Sequence, residues 1–485
     1  MNRRAFLSAA AGLGALAFSP ETVFAAAANG ADWTLGLADV EGDVAPRELA
    51  RVHGRAPAGL DGVLYRNGPA RFRRGGSAVG HWFDGDGLVR RYAIADGQAQ
   101  LAARFVDTPK RRVDTAVGAI VTPGFGTAAG PGAQVRGPDD VNAANTSVMM
   151  AGQALWALWE AGSPAALDPD TLETRGFHTF RPDLKGMPFL AHPRVEPDGR
   201  VWNLGVSGSR AVVWRLSPDG ALEAATPLTL PRASYLHDFT ATARHLVIVL
   251  QPWIHERMVA PVSAGYVWRA DAGTQVLVLD KDDLSRRRVY ELPAFSAFHM
   301  GDAWEDADGT IRFDICTTPT PEFAVQGARD LVAGRAPAGA DATRLSFVTL
   351  RPDGSGAIEH TATPAEFPRS DPRVAGRARA RTVVLTRTDP RSPFFQAVAV
   401  QDWRRDRTEV FDFGPRTLVE EMVFVPRGAG EFDGWLVGTS VNLDARATEL
   451  HVFDARHLAD GPLCTWRADV ALPVSFHGVF AARRS

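Results

Sequence analysis

The chain contains 485 residues, of which 45% are hydrophobic and 22% are charged, and this ordinary globular composition allows a large buried core. Its 53 basic and 56 acidic residues give a formal net charge of -3, and the two signs are interspersed. A nucleic-acid-binding protein needs a basic patch or stripe, so we expect no nucleic acid partner. The only two cysteines, Cys316 and Cys464, exclude a disulfide framework but leave one bond between them open.

The amino-terminal segment predicts export. Its sequence, MNRRAFL, contains twin arginines, Arg3 and Arg4, and a short run of small apolar residues with several Ala-x-Ala sites follows. This pattern is typical of a twin-arginine signal peptide, which we place at residues 1–27, with the mature domain at residues 28–485. Because the twin-arginine route carries folded proteins, it suits a periplasmic protein that loads a cofactor before export. The apolar run is too short and too rich in glycine to span a membrane.

The rest of the chain repeats one pattern, in which a short alternating strand, an Asp-centred turn and a second strand follow one another. Residues 154–177, ALWALWEAGSPAALDPDTLETRGF, and residues 212–228, VVWRLSPDGALEAATPL, are two examples. About seven such units, at spacings of roughly 50 to 70 residues, favour an all-β fold, a seven-bladed β-propeller with one four-stranded blade per unit. Two β-sandwich domains are the alternative fold.

Four of the twelve histidines share a local sequence context. His192, His237, His299 and His477 each follow one or more apolar residues, and they occur one per blade-sized segment. Because the inner strands of a propeller converge on its axis, equivalent positions on different blades can meet. Four neutral imidazoles would suit Fe, Cu, Zn or Ni and would not suit Mg or Ca. The alternative is that these histidines are packed, hydrogen-bonded core residues.

Several segments resemble, in order, the carotenoid cleavage oxygenase family, which is also described as retinal pigment epithelial membrane protein-like. The resemblance begins at GVLYRNGPA (residues 62–70) and runs to the carboxyl terminus. The other matching segments are HWFDGDGLV, NAANTSV, LETRGF, EFPR, FVPR and DGWLVG. The resemblance implies a seven-bladed propeller with a non-haem Fe(II) on its axis, capped by the loops between blades.

The same resemblance implies the residues of the iron site. The four iron ligands would be His192, His237, His299 and His477. The three glutamates on the outer ring nitrogens of these ligands would be Glu160, Glu366 and Glu421. Such acceptors fix the tautomer and the orientation of metal-binding imidazoles. Glu420 leaves an ambiguity of one residue, and we favour Glu421 because it lies three residues before Phe424, as in the E-P-x-F motif of the family.

The segment HWFDGDG could be mistaken for a calcium loop, because it contains Asp84 and Asp86. It lacks the remaining ligand spacing of such a loop. We therefore interpret it as a turn whose glycines take positive φ and whose aspartates bond backbone amides.

The implied activity is that of an oxygenase, which uses dioxygen to split a carbon–carbon double bond of a small apolar alkene into two carbonyl products. No catalytic triad is evident, and this chemistry requires none. Residues 123–130, PGFGTAAG, and 252–268, PWIHERMVAPVSAGYVW, are candidate walls of a substrate tunnel, with simple loop packing as the alternative. A lipid-soluble substrate would also favour peripheral contact with a membrane. The sequence gives no prediction of oligomeric state.

The substrate class depends on Trp159. Stilbene cleavers of the family have a lysine directly before the first glutamate and a tyrosine upstream, and these hold a phenolic hydroxyl. Here Trp159 precedes Glu160, and PGFGTAAG contains no tyrosine. We therefore expect a pocket without a donor and favour a carotenoid or apocarotenoid. The alternatives are stilbene cleavage, an isomerase or hydrolase at the same iron site, a propeller that only binds a ligand, and a Trp159 that only packs.

Overall fold

The computed structural model describes residues 32–337 and 343–483. The predicted signal peptide lies outside the described residues. Within the described ranges, regular structure is almost entirely β-strand, and the α-helices are α1 (Pro109–Val117) and α2 (Ala328–Val332). No helix in this part of the chain is both long enough and apolar enough to cross a membrane.

The strands are numbered here in chain order. The first half contains β1 (Val44–Glu48), β2 (Ala50–Gly54), β3 (Gly62–Pro69), β4 (Arg73–Arg74), β5 (Ser77–Ala78), β6 (Gly87–Ala95), β7 (Gln98–Phe105), β8 (Ser147–Ala151), β9 (Ala154–Leu158), β10 (Ala165–Leu167), β11 (Thr174–Phe177), β12 (Arg194–Val195), β13 (Val201–Ser207), β14 (Arg210–Leu216), β15 (Leu222–Thr229), β16 (Thr240–Ala241) and β17 (His245–Leu250). The second half contains β18 (Trp253–His255), β19 (Tyr266–Trp268), β20 (Thr274–Asp280), β21 (Arg287–Leu292), β22 (Ser296–Glu305), β23 (Ile311–Thr318), β24 (Arg344–Leu350), β25 (Gly356–Pro364), β26 (Glu366–Arg369), β27 (Arg381–Thr386), β28 (Ala397–Asp402), β29 (Arg407–Asp412), β30 (Thr417–Pro426), β31 (Gly434–Asn442), β32 (Ala447–Asp454), β33 (Cys464–Arg467) and β34 (His477–Ala482).

Short helical turns connect many of these strands. The 3₁₀ turns are Asp32–Leu37, Trp82–Asp84, Pro138–Asp140, Pro182–Leu184, Val262–Gly265, Ala270–Ala272, Pro372–Val374 and Leu458–Asp460. A single π-helical turn, Phe323–Gly327, leads directly into α2.

Most of these strands form seven antiparallel sheets of four or five strands, and each of these sheets is one blade of a propeller. The pairs β4–β5 and β18–β19 form two small sheets outside the blades. Blade 2 is β8–β11, blade 3 is β12–β15, blade 5 is β22–β25 and blade 6 is β26–β29, while blade 4 contains β16, β17, β20 and β21. Blade 1 contains β1, β3, β6, β7 and β34, and blade 7 contains β30–β33 with β2. The seven-bladed propeller predicted from the repeated hairpins is confirmed, and the alternative of two sandwiches is wrong.

The two ends of the described chain close the ring. The carboxyl-terminal strand β34 pairs with β3, and its first residue, His477, lies opposite Asn67. The amino-terminal strand β2 pairs with β33 of blade 7, with Ala50 opposite Arg467. This register places His477 at the inner edge of blade 1. A strand from each end of the chain is thus held by strands formed far away in the sequence.

The core lies between the blades, and the middle strands are apolar on both faces. In β20, Val276 and Val278 pack in the core shared with blade 5, whereas Leu277 and Leu279 pack in the core shared with blade 3. Alternate side chains of a strand point to opposite faces, so a strand between two neighbours buries both sets. Each such side chain contributes about 1.5–3 kcal/mol to folding when fully buried. Both cysteines lie buried as free thiols.

The HWFDGDG segment (residues 81–87) anchors the loop that contains Phe125 and Gly126. The carboxylate of Asp84 accepts hydrogen bonds from the amides of Phe125 (2.7 Å) and Gly126 (2.9 Å), as expected for a turn aspartate. The expectation of positive φ is wrong for the glycines of this segment: Gly85 has φ of -64°. Lack of space explains why residue 87 is a glycine, because a Cβ at this position would lie 2.2 Å from the carbonyl oxygen of Ala144.

Candidate metal centre

Four histidine side chains meet on the axis of the propeller. One ring nitrogen from each of His192, His237, His299 and His477 lies within 4.8 Å of the others. The Nε2 atoms of His192 and His237 are 3.0 Å apart, and the rings of His192 and His477 are perpendicular, with centroids 4.5 Å apart. The structure therefore brings together all four histidines that the sequence singled out.

The histidines are positioned by the innermost strands of four blades. His192 and His237 lie just before β12 and β16, in blades 3 and 4. His299 is the fourth residue of β22, at a register shift between Ala297 and Met300. A bulge of this kind turns a side chain away from the regular alternation of the strand. It explains how the strand can direct His299 towards the axis.

Three carboxylates bind the outer nitrogens of three of these imidazoles. The distances from histidine Nδ1 to carboxylate oxygen are 2.6 Å for His237–Glu160, 2.5 Å for His299–Glu366 and 2.9 Å for His477–Glu421. Glu160 follows β9 of blade 2, Glu366 begins β26 of blade 6 and Glu421 lies in β30 of blade 7. Every blade thus contributes one residue to the site. With Nδ1–H donated outwards, Nε2 presents its lone pair to the centre.

Burial controls the charge of the histidines. It lowers the pKa of His192 well below the ordinary value, and the neighbouring imidazoles of His477 and His237 lower it further. It also lowers the pKa of His477 to about 3, although Glu421 opposes the shift. Burial disfavours charge on His237 as well, but Glu160 outweighs it and raises the pKa of that ring. His192 and His477 are therefore held in the neutral form that binds metals.

Within the described part of the chain, the Nε2 atoms that face the centre of the cluster lack protein groups that would donate a good hydrogen bond to them, as expected of metal ligands. Nε2 of His299 is buried and has no hydrogen-bond partner among the described residues. Nε2 of His237 lies 3.0 Å from Nε2 of His192, and it presents a lone pair to the centre because its Nδ1–H donates to Glu160. A cation at the centre would satisfy both groups. A set of four imidazoles suits a divalent transition metal and not a hard, oxygen-binding cation.

The two adjacent glutamates of β30 have different partners. Glu421 accepts from Nδ1 of His477 and from Nε of Arg369, at 2.9 and 2.7 Å. Glu420 instead pairs with the buried guanidinium of Arg66, at 3.0 Å. The structure thus places Glu421, and not Glu420, against the histidine cluster. The register of β30 shifts between Val419 and Met422, so both neighbours can be buried.

A large cavity of about 910 Å³ leads to the histidines. Its walls are mainly apolar, and the phenylalanines among them are Phe83, Phe125, Phe298, Phe323, Phe367, Phe394, Phe395 and Phe476. Both predicted wall segments contribute, through Phe125 in one and Met258 and Tyr266 in the other. Trp159 lines the cavity too, directly beside Glu160.

The expectation of a cavity without donors is wrong. Tyr235 lines the cavity and donates its hydroxyl to Glu160 at 3.0 Å, and Tyr266, His255 and Arg387 also line it. Tyr266 and His255 lie in the predicted wall segment 252–268, and Tyr235 lies two residues before the predicted ligand His237, so these donors could have been found from the sequence. Arg387 directly follows the last residue of β27, and no local sequence pattern indicates that it lines the cavity. Only the folded arrangement places it in the wall.

Comparisons with known proteins agree with the ordered motifs. The family model described as "Retinal pigment epithelial membrane protein" matches residues 37–482. The apocarotenoid-15,15'-oxygenase of Synechocystis is 27% identical, with 93% of this chain and 94% of that protein covered. The resveratrol cleavage oxygenase 1 of Aspergillus fumigatus is 28% identical, with 91% of this chain and 92% of that protein covered.

Solved structures show the same fold. A cobalt-substituted apocarotenoid oxygenase of Synechocystis superposes with a TM-score of 0.84 at 24% identity, with 93% of this chain and 98% of that chain covered. The prediction of an oxygenase is confirmed, because the curated relatives are named oxygenases. The chain therefore belongs to the retinal pigment epithelial membrane protein family of carotenoid cleavage oxygenases.

Proposed function

We propose that the protein is a non-haem Fe(II) dioxygenase that cleaves a double bond of a carotenoid or apocarotenoid and releases two carbonyl products. The observation that carries this proposal is the arrangement of four inward Nε2 atoms, three of them on rings fixed by a carboxylate. In this proposal the iron ligands are His192, His237, His299 and His477. When bound, iron would supply the activation of dioxygen next to the alkene.

The residues around the ligands would set their geometry. Glu160, Glu366 and Glu421 keep the proton on Nδ1 of their histidine partners, and this fixes both tautomer and ring orientation. Glu160 is itself held by the hydroxyl of Tyr235, at 3.0 Å. The glutamates thus hold the histidine ligands, and Tyr235 in turn holds one of these glutamates.

The aromatic walls would bind the substrate and exclude water. The ring of Phe367 stacks on His299, with centroids 4.8 Å apart, and Phe298 lies against His237, with centroids 5.3 Å apart. A planar conjugated chain packs well against such rings. The cavity, at about 910 Å³, falls in the upper part of the range for small-molecule sites, and this volume supports a long substrate. The Synechocystis relative named as an apocarotenoid oxygenase supports the same class.

The test is oxygen-dependent bleaching of a long all-trans apocarotenal by the purified, Fe(II)-loaded protein. We expect the visible absorbance to fall only when oxygen is present, and two carbonyl products to appear by mass spectrometry. Their masses identify the bond that is cleaved. A metal-loaded protein that leaves the polyene intact under oxygen would contradict the proposed substrate class, and turnover without oxygen would point to an isomerase or hydrolase.

Stilbene cleavage is the second candidate. It is supported by the donors in the cavity, which include Tyr266 and Arg387, and by the Aspergillus relative named as a resveratrol cleavage oxygenase. The measurement is kcat/KM for a hydroxylated stilbene and for the apocarotenal under the same conditions. A preference of more than about tenfold, or 1.4 kcal/mol, for one of them decides between the two classes.

We also propose that the mature protein is periplasmic, after export through the twin-arginine route. Residues Arg3 and Arg4 carry this proposal. Cell fractionation of the native chain and of an Arg3→Lys, Arg4→Lys double variant tests it. The variant should remain in the cytoplasm, and periplasmic accumulation of both forms would contradict the proposal.

Peripheral membrane contact is proposed from the edge of the cavity. Met258, Val259, Val262 and Val135 line the cavity and are nevertheless exposed, Met258 to 68%. Apolar side chains gathered at the edge of an apolar cavity are typical of a surface that receives a lipid-soluble substrate.

A further inference from the structure

Arg387 is a partly buried cationic side chain in the cavity wall, and it has no anionic partner within residues 32–337 and 343–483. Arg387 follows β27 of blade 6 and lines the cavity. Its guanidinium lies over the ring of Phe395, with Cζ 5.5 Å from the ring centroid. Burial lowers the pKa of Arg387, and the charge of Glu366 opposes that shift. An arginine nevertheless stays charged at neutral pH, so the cavity contains a cation without a counterion.

The carboxylates in the cavity wall are already engaged. Glu366 accepts from His299 at 2.5 Å and from the amide of Phe367 at 3.0 Å. The remaining three glutamates of the wall pair as Glu160 with His237, Glu421 with His477 and Glu420 with Arg66. A partly buried charge is unfavourable unless it is paired, so a ligand anion would relieve this cost.

An aromatic path connects Arg387 to the histidines. The ring of Phe395 is 6.1 Å from that of Phe367, and Phe367 in turn stacks on His299 at 4.8 Å. A conjugated substrate with its reactive double bond beside the histidines could extend along these two rings. One of its ends would then lie at Arg387. The position of the cation thus matches the end of a substrate and not its reacting centre.

We propose that Arg387 binds a carboxylate at one end of the alkene substrate, so that the enzyme selects acids over the corresponding esters. The planar guanidinium offers two parallel donors that match a carboxylate, and such a pair is stronger than a bond to a neutral carbonyl. This inference rests on the proposed function, because it concerns the substrate of that site. The carboxylate could belong to a linear polyene or to an aryl alkene.

The test measures binding without oxygen and turnover with oxygen. Four ligands are compared, a polyene acid and its methyl ester and a stilbene carboxylic acid and its methyl ester. The proteins are the native chain, Arg387→Gln and Arg387→Lys, all loaded with Fe(II). Quenching of tryptophan fluorescence under nitrogen gives Kd, and kcat/KM follows in air. Arg136→Gln is the matched control, because Arg136 also lines the cavity but is exposed to solvent.

We expect the native chain to bind one of the two acids at least tenfold more tightly than its ester, and that pair identifies the carbon skeleton. Arg387→Gln should lose this preference, Arg387→Lys should keep part of it, and Arg136→Gln should keep it within about twofold. Ester binding should stay unchanged in Arg387→Gln, which also shows that the cavity remains folded. Equal binding of acid and ester by the native chain, or a preference that survives in Arg387→Gln, would overturn the inference. Failure of the proposed function would give a different result, because ligand binding would then be measurable but no ligand would be cleaved in air.

Discussion

His477 and Glu421 are separated by 56 positions in the chain, yet they share a hydrogen bond of 2.9 Å. No local pattern predicts such a pair, because the two strands that hold them meet only when the ring closes. The histidines could be selected by their apolar context and the glutamates by the order of family motifs. The hydrogen-bond partner of each side chain could be identified only from the structure. Arg387 and its aromatic path were missed for the same reason.

Adjacent glutamates in β30 should respond differently to the same substitution. In Glu421→Gln the acceptor of His477 loses its charge, so we expect metal affinity to fall about 10- to 100-fold while the fold is kept. In Glu420→Gln a buried pair with Arg66 is broken, which should cost about 3 kcal/mol of unfolding free energy. Iron titration and urea denaturation of both variants measure the two effects.

A matched histidine–carboxylate pair outside the cavity provides the control. His245 bonds Glu305 at 3.0 Å, remote from the histidine cluster, so Glu305→Gln should leave iron affinity unchanged. Equal loss of iron affinity in the Glu420 and Glu421 variants would show that the assignment of Glu421 is wrong.

At the scale of one element, the HWFDGDG turn contains a buried neutral imidazole. Nδ1 of His81 accepts from the amide of Phe83 at 3.2 Å, and Nε2–H donates to the carbonyl of Ala324 at 2.9 Å. Protonation at Nδ1 would break the first bond. Burial is the main cause that lowers the pKa of this ring to about 4.

This turn should make the protein sensitive to acid. Because the folded pKa of His81 lies below the ordinary value of about 6.5, the unfolded chain takes up the proton first as the pH falls. The folded state should therefore lose up to about 3 kcal/mol between pH 6.5 and pH 4. In His81→Asn this loss should be absent, since the amide oxygen can still cap Phe83 but does not titrate. Urea denaturation across this pH range compares the two proteins, and parallel curves would contradict the explanation.

The repeated hairpins predicted the fold well because strand alternation and turn residues are local signals. The details that depend on packing were not predictable. Gly87 is required by the close approach of the Ala144 backbone and Gly85 by the side chains of Pro69 and Phe72. Strand β2 joins blade 7, which is otherwise formed at the far end of the sequence.

For the whole molecule, the apolar edge of the cavity should bind lipid bilayers. Met258→Ser with Val259→Ser removes two exposed apolar side chains, so we expect the affinity for phosphatidylcholine vesicles to fall about tenfold. Flotation with vesicles measures this. Val289→Ser with Val410→Ser is the matched control, because these valines are similarly exposed, at 43% and 42%, on outer strands. Equal loss in both variants, or no vesicle binding by the native protein, would contradict the proposed membrane contact.

The most direct test of the whole account is the iron content and ligand shell of the protein after anaerobic loading with Fe(II). We predict one iron per native chain and an X-ray absorption spectrum dominated by imidazole nitrogens. Iron should be lost from each of the variants His192→Ala, His237→Ala, His299→Ala and His477→Ala, while His245→Ala keeps it. A native chain without stoichiometric iron, or an alanine variant of the cluster that retains iron with an unchanged ligand shell, would contradict the four-histidine iron site.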